Sequence, residues 1–157
     1  MIDKAQVLQA FLRHIDALLD GLRRAQHDAS DSATHEENRA ESDKDTRATE
    51  ASYLARGLAE RVVKTQNARL AFSRLPIGRR ATVDVGALVL IDDDDSERWV
   101  LVAPALGGTS VAVGDVEIAV VTPKSPLGRA IMRAAEDDEV TFAAPGGKRE
   151  IVVVEVR

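Results

Sequence analysis

Apolar residues in the first part of the chain recur at alternating steps of three and four. The positions are Leu8, Phe11, Ile15, Leu18, Leu22, Ala25 and Ala29. A seam with this spacing, kept over three heptads, is typical of an α-helix that packs lengthwise on another helix. A second, less regular seam follows at Ala51, Leu54, Leu58, Val62, Thr65, Phe72 and Leu75. The pattern therefore predicts two long helices.

The stretch between the two seams, from Ser30 to Glu50, contains no large apolar residue. Two apolar seams on either side of a polar segment predict an antiparallel coiled-coil hairpin with its turn near Asn38. In that register paired residue numbers sum to roughly 77, so that Leu22 faces Tyr53 and Leu54. Each arm of about 35 residues would be about 50 Å long at about 1.5 Å per residue.

The second half of the chain has a different pattern, because all five prolines and eight of the ten glycines lie from Pro76 onward. These residues favour turns over long helices. We therefore predict two domains, a helical hairpin over residues 1–76 and a smaller domain over residues 77–157. The class of fold is α+β.

Short apolar runs between the turns of the second half predict strands. The predicted strands are 81–85, 87–91, 98–103, 116–122, 139–144 and 150–156. One short helix begins after Ser125, a typical N-cap followed by proline, and runs to about Ala134. Five or six strands with one helix packed on them give a small α+β domain. Trp99 and Phe142 are most simply residues of its core, and Asp92 to Asp95 form an exposed turn.

Charge is concentrated in the polar stretch between the helices. From residue 28 to residue 50 there are eight acids and three bases, a balance of −5 that equals the net charge of the whole chain. An acidic chain is poorly suited to bind a nucleic-acid backbone as its main partner. The chain has no cysteine, no signal-peptide pattern and no apolar run long enough for a membrane span, so we expect a cytoplasmic protein without membrane contact.

Two motifs near the C-terminus follow each other in a characteristic order. Ser125-Pro126-Leu127-Gly128-Arg129-Ala130-Ile131 is followed by Asp138, Val140 and Pro145-Gly146-Gly147. The segment from Val121 onward thereby resembles the C-terminal domain of the Gre family of transcription elongation factors. The resemblance implies an FKBP-like fold that docks on bacterial RNA polymerase near the mouth of its secondary channel. We interpret the motif residues as structural, since they start a helix and make a turn.

The resemblance also implies a role for the tip of the hairpin. In the family, an aspartate and a glutamate at the tip help to hold a second Mg²⁺ in the polymerase active site, and the polymerase then hydrolyses RNA over which it has backtracked. Glu37 and Asn38 match the glutamate and asparagine of the family tip, whereas Thr34 stands where the aspartate belongs. Glu37 is the first candidate ligand, followed by Glu41 one helical turn on and by Asp43 and Glu36. Asn38 would orient a phosphate or water.

Two functions are consistent with this resemblance, and a third is not. The chain is either a factor that stimulates RNA cleavage or a non-cleaving regulator of the same channel; the third reading is a dimerising coiled-coil module without a polymerase role. For the first two functions we expect a monomeric accessory factor that is not itself an enzyme. It would hold no cofactor of its own, since the Mg²⁺ belongs to the polymerase active site. It would contact DNA or RNA only through the elongation complex.

Overall fold

A computed structural model describes residues 2–37, 44–93 and 96–157. Two long helices come first, α1 (Lys4–Glu37) and α2 (Lys44–Ser73). The chain forms two compact units. The hairpin unit is Arg13–Arg69, and the sheet unit combines Met1–Leu12 with Leu70–Arg157. The predicted domain division at residue 76 stays a prediction; the ends of both long helices belong to the same compact unit as the sheet.

The buried seam of α1 follows the prediction at most positions. Leu8, Phe11, Ile15, Leu22 and Ala29 are buried, and Ala33 extends the seam. Two predicted seam residues were wrong: Leu18 is 40% exposed while its neighbour Leu19 is 3% exposed, and Ala25 is exposed while its neighbour Gln26 is half-buried. The seam takes two successive steps of four, from residue 11 to 15 to 19, and such a stutter departs from the strict heptad that favoured Leu18.

The seam of α2 also differs from the prediction at one leucine. Val62, Thr65, Phe72 and Leu75 are buried, and Ala68 fills the gap in the predicted spacing. Leu54, predicted as a seam residue, is 58% exposed, and the smaller Ala55 is half-buried beside it. The face of α2 near this end is therefore lined by alanine, which buries less apolar area than leucine.

Contacts between α1 and α2 correct the predicted register. Within the sheet unit the rings of Phe11 and Phe72 lie 5.6 Å apart, and their numbers sum to 83. Within the hairpin unit Arg69 pairs with Asp16, and these numbers sum to 85. The expected sum of roughly 77 is thus wrong by about one heptad. A shift of that length places seam residues opposite seam residues again, so the apolar pattern could not distinguish the two registers.

The predicted α+β class is confirmed. Six strands form one sheet in the order β3-β4-β2-β1-β6-β5. β2 and β4 are parallel, and every other neighbouring pair is antiparallel. The strands are β1 (Leu88–Asp92), β2 (Glu97–Val102), β3 (Ser110–Val113), β4 (Val116–Val121), β5 (Glu139–Ala144) and β6 (Gly147–Val156), and the short helix α3 (Pro126–Ile131) lies between β4 and β5.

Two predicted elements of the sheet unit were drawn wrongly. Residues 81–85 do not form a strand; Thr82 makes a single bridge with Ala135, and the amide of Val83 donates to the carbonyl of Ala134 at 2.8 Å. β3 was missed because four residues after a glycine pair give too short an alternation to stand out. α3 ends at Ile131 instead of about Ala134, since the chain turns to make that bridge.

One face of the sheet packs against α3. Its core includes Val89, Ile91, Val100, Val102 and Val153, with Ile131 from the helix. Phe142 is partly buried against this core, as expected. The alternating burial of β5 fits a strand at the edge of the sheet with one face covered. The sheet unit therefore buries a continuous apolar core around a short helix.

Asp92 to Asp95 were predicted to form an exposed turn, but Asp92 and Asp93 are half-buried, and Asp94 and Asp95 lie outside the described residues. The side chain of Asp93 is only 6% exposed and lies 3.4 Å from Arg98 and 3.7 Å from Arg149. Its carboxylate also accepts a hydrogen bond from the amide of Ser96 at 3.3 Å. A carboxylate in this position needs such partners, because burying an unpaired charge is costly. Asp93 therefore holds the turn to β6.

Lys4 is a buried cation at the start of α1. Its Nζ donates to the carbonyl of Gly78 at 3.2 Å and to the carbonyl of Arg157 at 3.1 Å. The guanidinium of Arg157 in turn donates to the carbonyl of Ile2. Burial, and then the positive charge of Arg80, lower the pKa of Lys4 to about 8. The start of α1 is thus tied to the last residue of the chain inside the sheet unit.

The lowered pKa of Lys4 gives a prediction for stability against pH. In the unfolded chain the amine of Lys4 has its ordinary pKa of 10.5, and in the folded chain its pKa is about 8. Between pH 8 and pH 10.5 the unfolded state therefore binds more protons than the folded state. Stability from this group must therefore rise with pH across that window. We expect urea unfolding to show this rise in the wild type and to lose it in Lys4→Met, which keeps the apolar stem. Parallel pH profiles of the two proteins would contradict the assignment.

Candidate functional site

The predicted tip residues lie at the edge of what the structure describes. Glu37 is the last residue of α1, and its side chain is outside the described part. Asn38, Glu41 and Asp43 lie outside the described residues altogether, and so does the side chain of Glu36. The set of magnesium ligands therefore stays a prediction. The residues that the structure describes near this set are those of the last turns of α1.

The last turns of α1 are continuous helix with a small-residue seam. Ala29 and Ala33 are buried, while Thr34 and His35 are exposed on the same helix. The hydroxyl of Thr34 donates to the carbonyl of Ser30 at 3.1 Å, one turn back. The hydroxyl of Thr34, the residue predicted to align with the aspartate of the family tip, is thus engaged with its own helix.

Acidic side chains of this region are exposed where the structure describes them. Asp28 and Asp31 on α1 and Glu50 on α2 all face solvent. Asp31 lies 3.3 Å from the ring of His27 one turn earlier. Within residues 2–37, 44–93 and 96–157, no group of three or more histidine or acidic side chains is arranged to hold a metal ion. This statement does not cover the side chains of Glu36 and Glu37, which lie outside the described part.

A bidentate ion pair joins α1 to α2 in the hairpin unit. The guanidinium of Arg69 donates through Nε and Nη2 to the two carboxylate oxygens of Asp16, the second bond at 3.2 Å. The hydrogen bond from Arg69 lowers the pKa of Asp16 below its usual value. Both side chains are nearly half exposed, so the pair fixes alignment more than it adds stability. It lies many residues away from the predicted tip.

The first Gre-like motif proves to be a helix start. Ser125 caps α3: its hydroxyl accepts a hydrogen bond from the amide of Gly128 at 3.0 Å and donates to the carbonyl of Thr122 at 2.8 Å. Pro126 occupies the first helical position, where a missing amide proton costs nothing. Gly128 is buried so close to Thr122 that a Cβ there would lie 1.9 Å from the carbonyl oxygen. The cap, the proline and the close approach of Gly128 therefore shape the start of α3.

The second motif is a β-hairpin and the turn before it. Ala144 pairs with Gly147, so Pro145 and Gly146 are the two residues of the loop. Gly146 has φ +98°, a left-handed conformation that glycine adopts without strain. The carboxylate of Asp138 accepts a hydrogen bond from the amide of Ala135 at 2.7 Å. Both motifs are therefore structural, as the sequence indicated.

Trp99 was predicted as a core residue, but it is only half-buried. The guanidinium of Arg157 lies 5.2 Å from the centre of its ring, within the range of a cation–π interaction. Arg157 also pairs with Glu155 at 2.6 Å. No signal in the sequence pointed to this contact, because the two residues are 58 positions apart and only the pairing of β1 with β2 and with β6 brings them together.

The chain combines a pair of long helices with a mixed six-stranded sheet and one short capped helix. Its two C-terminal sequence motifs form the start of that helix and a β-turn. Residues 79–157 match the family model for the C-terminal domain of the transcription elongation factors GreA and GreB. That match covers half of the chain, and the chain belongs to the GreA/GreB family.

Two curated relatives are similar over part of the chain. Transcription elongation factor GreA of Alkalilimnicola ehrlichii is 37% identical over 81 residues, which cover 52% of this chain and 49% of the relative. GreA of Halorhodospira halophila is 36% identical over 72 residues, 46% of this chain and 43% of the relative. The chain thus matches about half the length of these relatives.

Among solved structures, GreA factor homolog 1 (Gfh1) of Thermus thermophilus is 20% identical, with 93% of this chain and 94% of that chain covered and a TM-score of 0.38. The factor GreA/GreB of Nitrosomonas europaea is 18% identical, with 59% and 78% covered and a TM-score of 0.35. Neither α1 nor α2, nor α3, is long and apolar enough to cross a membrane, as far as the described residues extend.

Proposed function

We propose that this protein binds bacterial RNA polymerase and inserts the acidic end of its hairpin into the secondary channel, where it stimulates cleavage of backtracked RNA. The observation that carries the proposal is the family match over residues 79–157, preceded in the same chain by the two long helices α1 and α2. The curated relatives are transcription elongation factors. The protein acts on the polymerase as an accessory monomer in the cytoplasm and catalyses no reaction alone.

The chemistry requires little from the factor itself. Mg²⁺ prefers oxygen ligands, keeps several waters and usually takes one or two carboxylates from a protein. Two ions a few ångströms apart stabilise both the attacking and the leaving oxygen of a phosphodiester. A factor that supplies Glu37, with Glu41 or Asp43 beside it, would complete the shell of a second ion in the polymerase site. The surplus of acids between residues 28 and 50 suits that task.

One observation favours a second function, the non-cleaving regulator of the same channel. Thr34 replaces the acid of the family tip, and its hydroxyl is engaged with the carbonyl of Ser30. A tip with one acid fewer holds a cation less well, and occupancy of the channel alone would then be its effect. Incubation with a backtracked elongation complex distinguishes the two, because only the first function shortens the RNA.

Removal of the hairpin unit tests whether the hairpin carries the activity. Residues 13–69 are replaced by a short glycine-serine linker, which preserves the sheet unit with its Phe11–Phe72 contact. We expect a folded protein that binds polymerase more weakly and leaves RNA cleavage at the level of polymerase alone. Full stimulation or inhibition of transcription by this variant would contradict the proposed role of the hairpin. Circular dichroism, which reports the loss of helix and the retention of strand, is the control for folding.

A further inference from the structure

A cavity of about 740 Å³ opens in the sheet unit beside the beginnings of β2 and β4. The parallel ladder between these strands starts at Trp99 and Ile118. The residues before that point are therefore not paired with each other. The volume lies within the roughly 300–1,000 Å³ of sites that enclose a small ligand or several side chains. This corner of the sheet is therefore large enough to receive a segment of another molecule.

The walls of the cavity combine apolar and acidic side chains. Leu90, Trp99 and Val116 are half-buried apolar residues, and the acids are Glu97, Asp115 and Glu117. The cation in the lining, Arg98, is already paired with Asp93 at 3.4 Å. In the described part of the chain none of the three acids forms an ion pair, and Glu117 accepts only the hydroxyl of Ser110. The cavity therefore carries three uncompensated carboxylates around an apolar floor.

Trp99 already stacks with a guanidinium on one side. Arg157 lies over the ring at 5.2 Å, and Trp99 itself lines the cavity. Aromatic rings attract cations through the negative charge of their faces, arginine most often. Tryptophan and arginine are also enriched at protein interfaces. A tryptophan among carboxylates is thus chemically suited to a second arginine that arrives from outside.

We propose that this cavity, formed by Leu90, Glu97, Trp99, Asp115, Val116 and Glu117, binds a basic peptide segment of a partner protein. Arginine side chains of the segment pair with the three carboxylates, and its apolar side chains lie against the floor. The complementary charge favours a basic occupant, because a cationic segment gains both steering and specificity at an acidic surface. The apolar floor favours a peptide over a simple polyamine, which has no branched apolar side chain to place there. This site is separate from the hairpin and does not depend on its proposed function.

Fluorescence of Trp99, the only tryptophan in the chain, gives a direct test on the full-length protein. The probe is a capped hexapeptide of alternating leucine and arginine, and its matched control has glutamine in place of arginine. We expect saturable binding of the arginine peptide, seen as a change in Trp99 emission and as heat in calorimetry. Asp115→Asn combined with Glu117→Gln should weaken it roughly five- to tenfold, because each exposed ion pair contributes only modestly. Glu139→Gln combined with Glu150→Gln, on the β5–β6 hairpin, should leave it unchanged.

Three results would overturn the proposal. The first is the absence of calorimetric binding at millimolar peptide. The second is that the glutamine peptide binds as tightly as the arginine peptide, or that the Asp115/Glu117 and Glu139/Glu150 variants lose the same affinity for the arginine peptide. Either outcome would show that the carboxylates of the cavity do not bind the peptide. The third is spermidine binding as tightly as the peptide, which would assign the site to polyamines. If the Asp115 and Glu117 changes unfold the protein in a thermal melt, Glu97→Gln replaces them with an expected loss of about threefold.

Discussion

Replacing Glu37 with glutamine is expected to reduce stimulated RNA cleavage by at least about tenfold, the lower range for disturbing a metal site. Glutamine keeps the size of the side chain but removes the charge that a weakly held Mg²⁺ needs. Polymerase binding should stay nearly constant, because a single exposed side chain contributes little to docking. The measurement is the rate of RNA shortening in a backtracked complex at saturating factor. Glu41→Gln should cost less, and Glu139→Gln, on the edge strand β5, should cost nothing.

Thr34→Asp is the reverse experiment, since it restores the acid that the family tip carries. Thr34 is exposed near the end of α1, so the substitution meets no packing obstacle. If one missing carboxylate limits the factor, the variant should cleave faster than the wild type and should need less Mg²⁺. If the wild type, Glu37→Gln and Thr34→Asp all bind polymerase and all leave backtracked RNA intact, the cleavage function is wrong and the channel-occupying regulator is the better account.

Gly128→Ala is expected to destabilise the sheet unit by about 3 kcal/mol or more, at the upper end of overpacking effects. The added Cβ would lie 1.9 Å from the carbonyl oxygen of Thr122 and 2.9 Å from the hydroxyl of Ser125. The first atom is backbone and the second is the hydroxyl that caps α3, so α3 would have to move away from the strand before it and lose its cap. Urea unfolding followed through Trp99 fluorescence reports this loss within the sheet unit.

Gly57→Ala provides the matched control for Gly128→Ala. Gly57 lies inside α2, and a Cβ there would meet nothing within 4 Å. The same substitution should therefore stabilise the helix by roughly 0.5–1 kcal/mol, since alanine is the better helix former. Urea unfolding of the helices, followed by circular dichroism, measures this gain in stability. A Gly128→Ala protein as stable as the wild type would show that the close approach to Thr122 does not constrain the fold.

The sequence predicted the kinds of elements better than their pairing. Periodicity identified both long helices, yet it favoured Leu18, whereas the packing buries its neighbour Leu19 in the seam. The register was wrong by about one heptad, because a repeating seam looks the same after such a shift. β3 escaped notice because it is short, and residues 81–85 look like a strand but make a single bridge. Each miss concerns a choice that distant parts of the chain decide.

For the functional residues the sequence was informative only through the family motifs. Ser125, Gly128 and Pro145-Gly146 were interpreted as structural, and their hydrogen bonds and close contacts agree. The tip candidates Glu37, Asn38, Glu41 and Asp43 stay predictions. Asp93 and Trp99 were misjudged, since their partners Arg149 and Arg157 come from the end of the chain. Contacts between residues so far apart leave no local pattern to detect.

The position of β6 in the sheet has a consequence for synthesis of the protein. β6 lies between β1 and β5 and pairs with both, so a nascent chain that lacks residues 147–156 cannot close the sheet. Residues 13–69 form a compact unit of their own, and they leave the ribosome long before β6 does. Because non-local pairing is slow, the helices should form early and the sheet should be the final, rate-limiting and most aggregation-exposed step of folding.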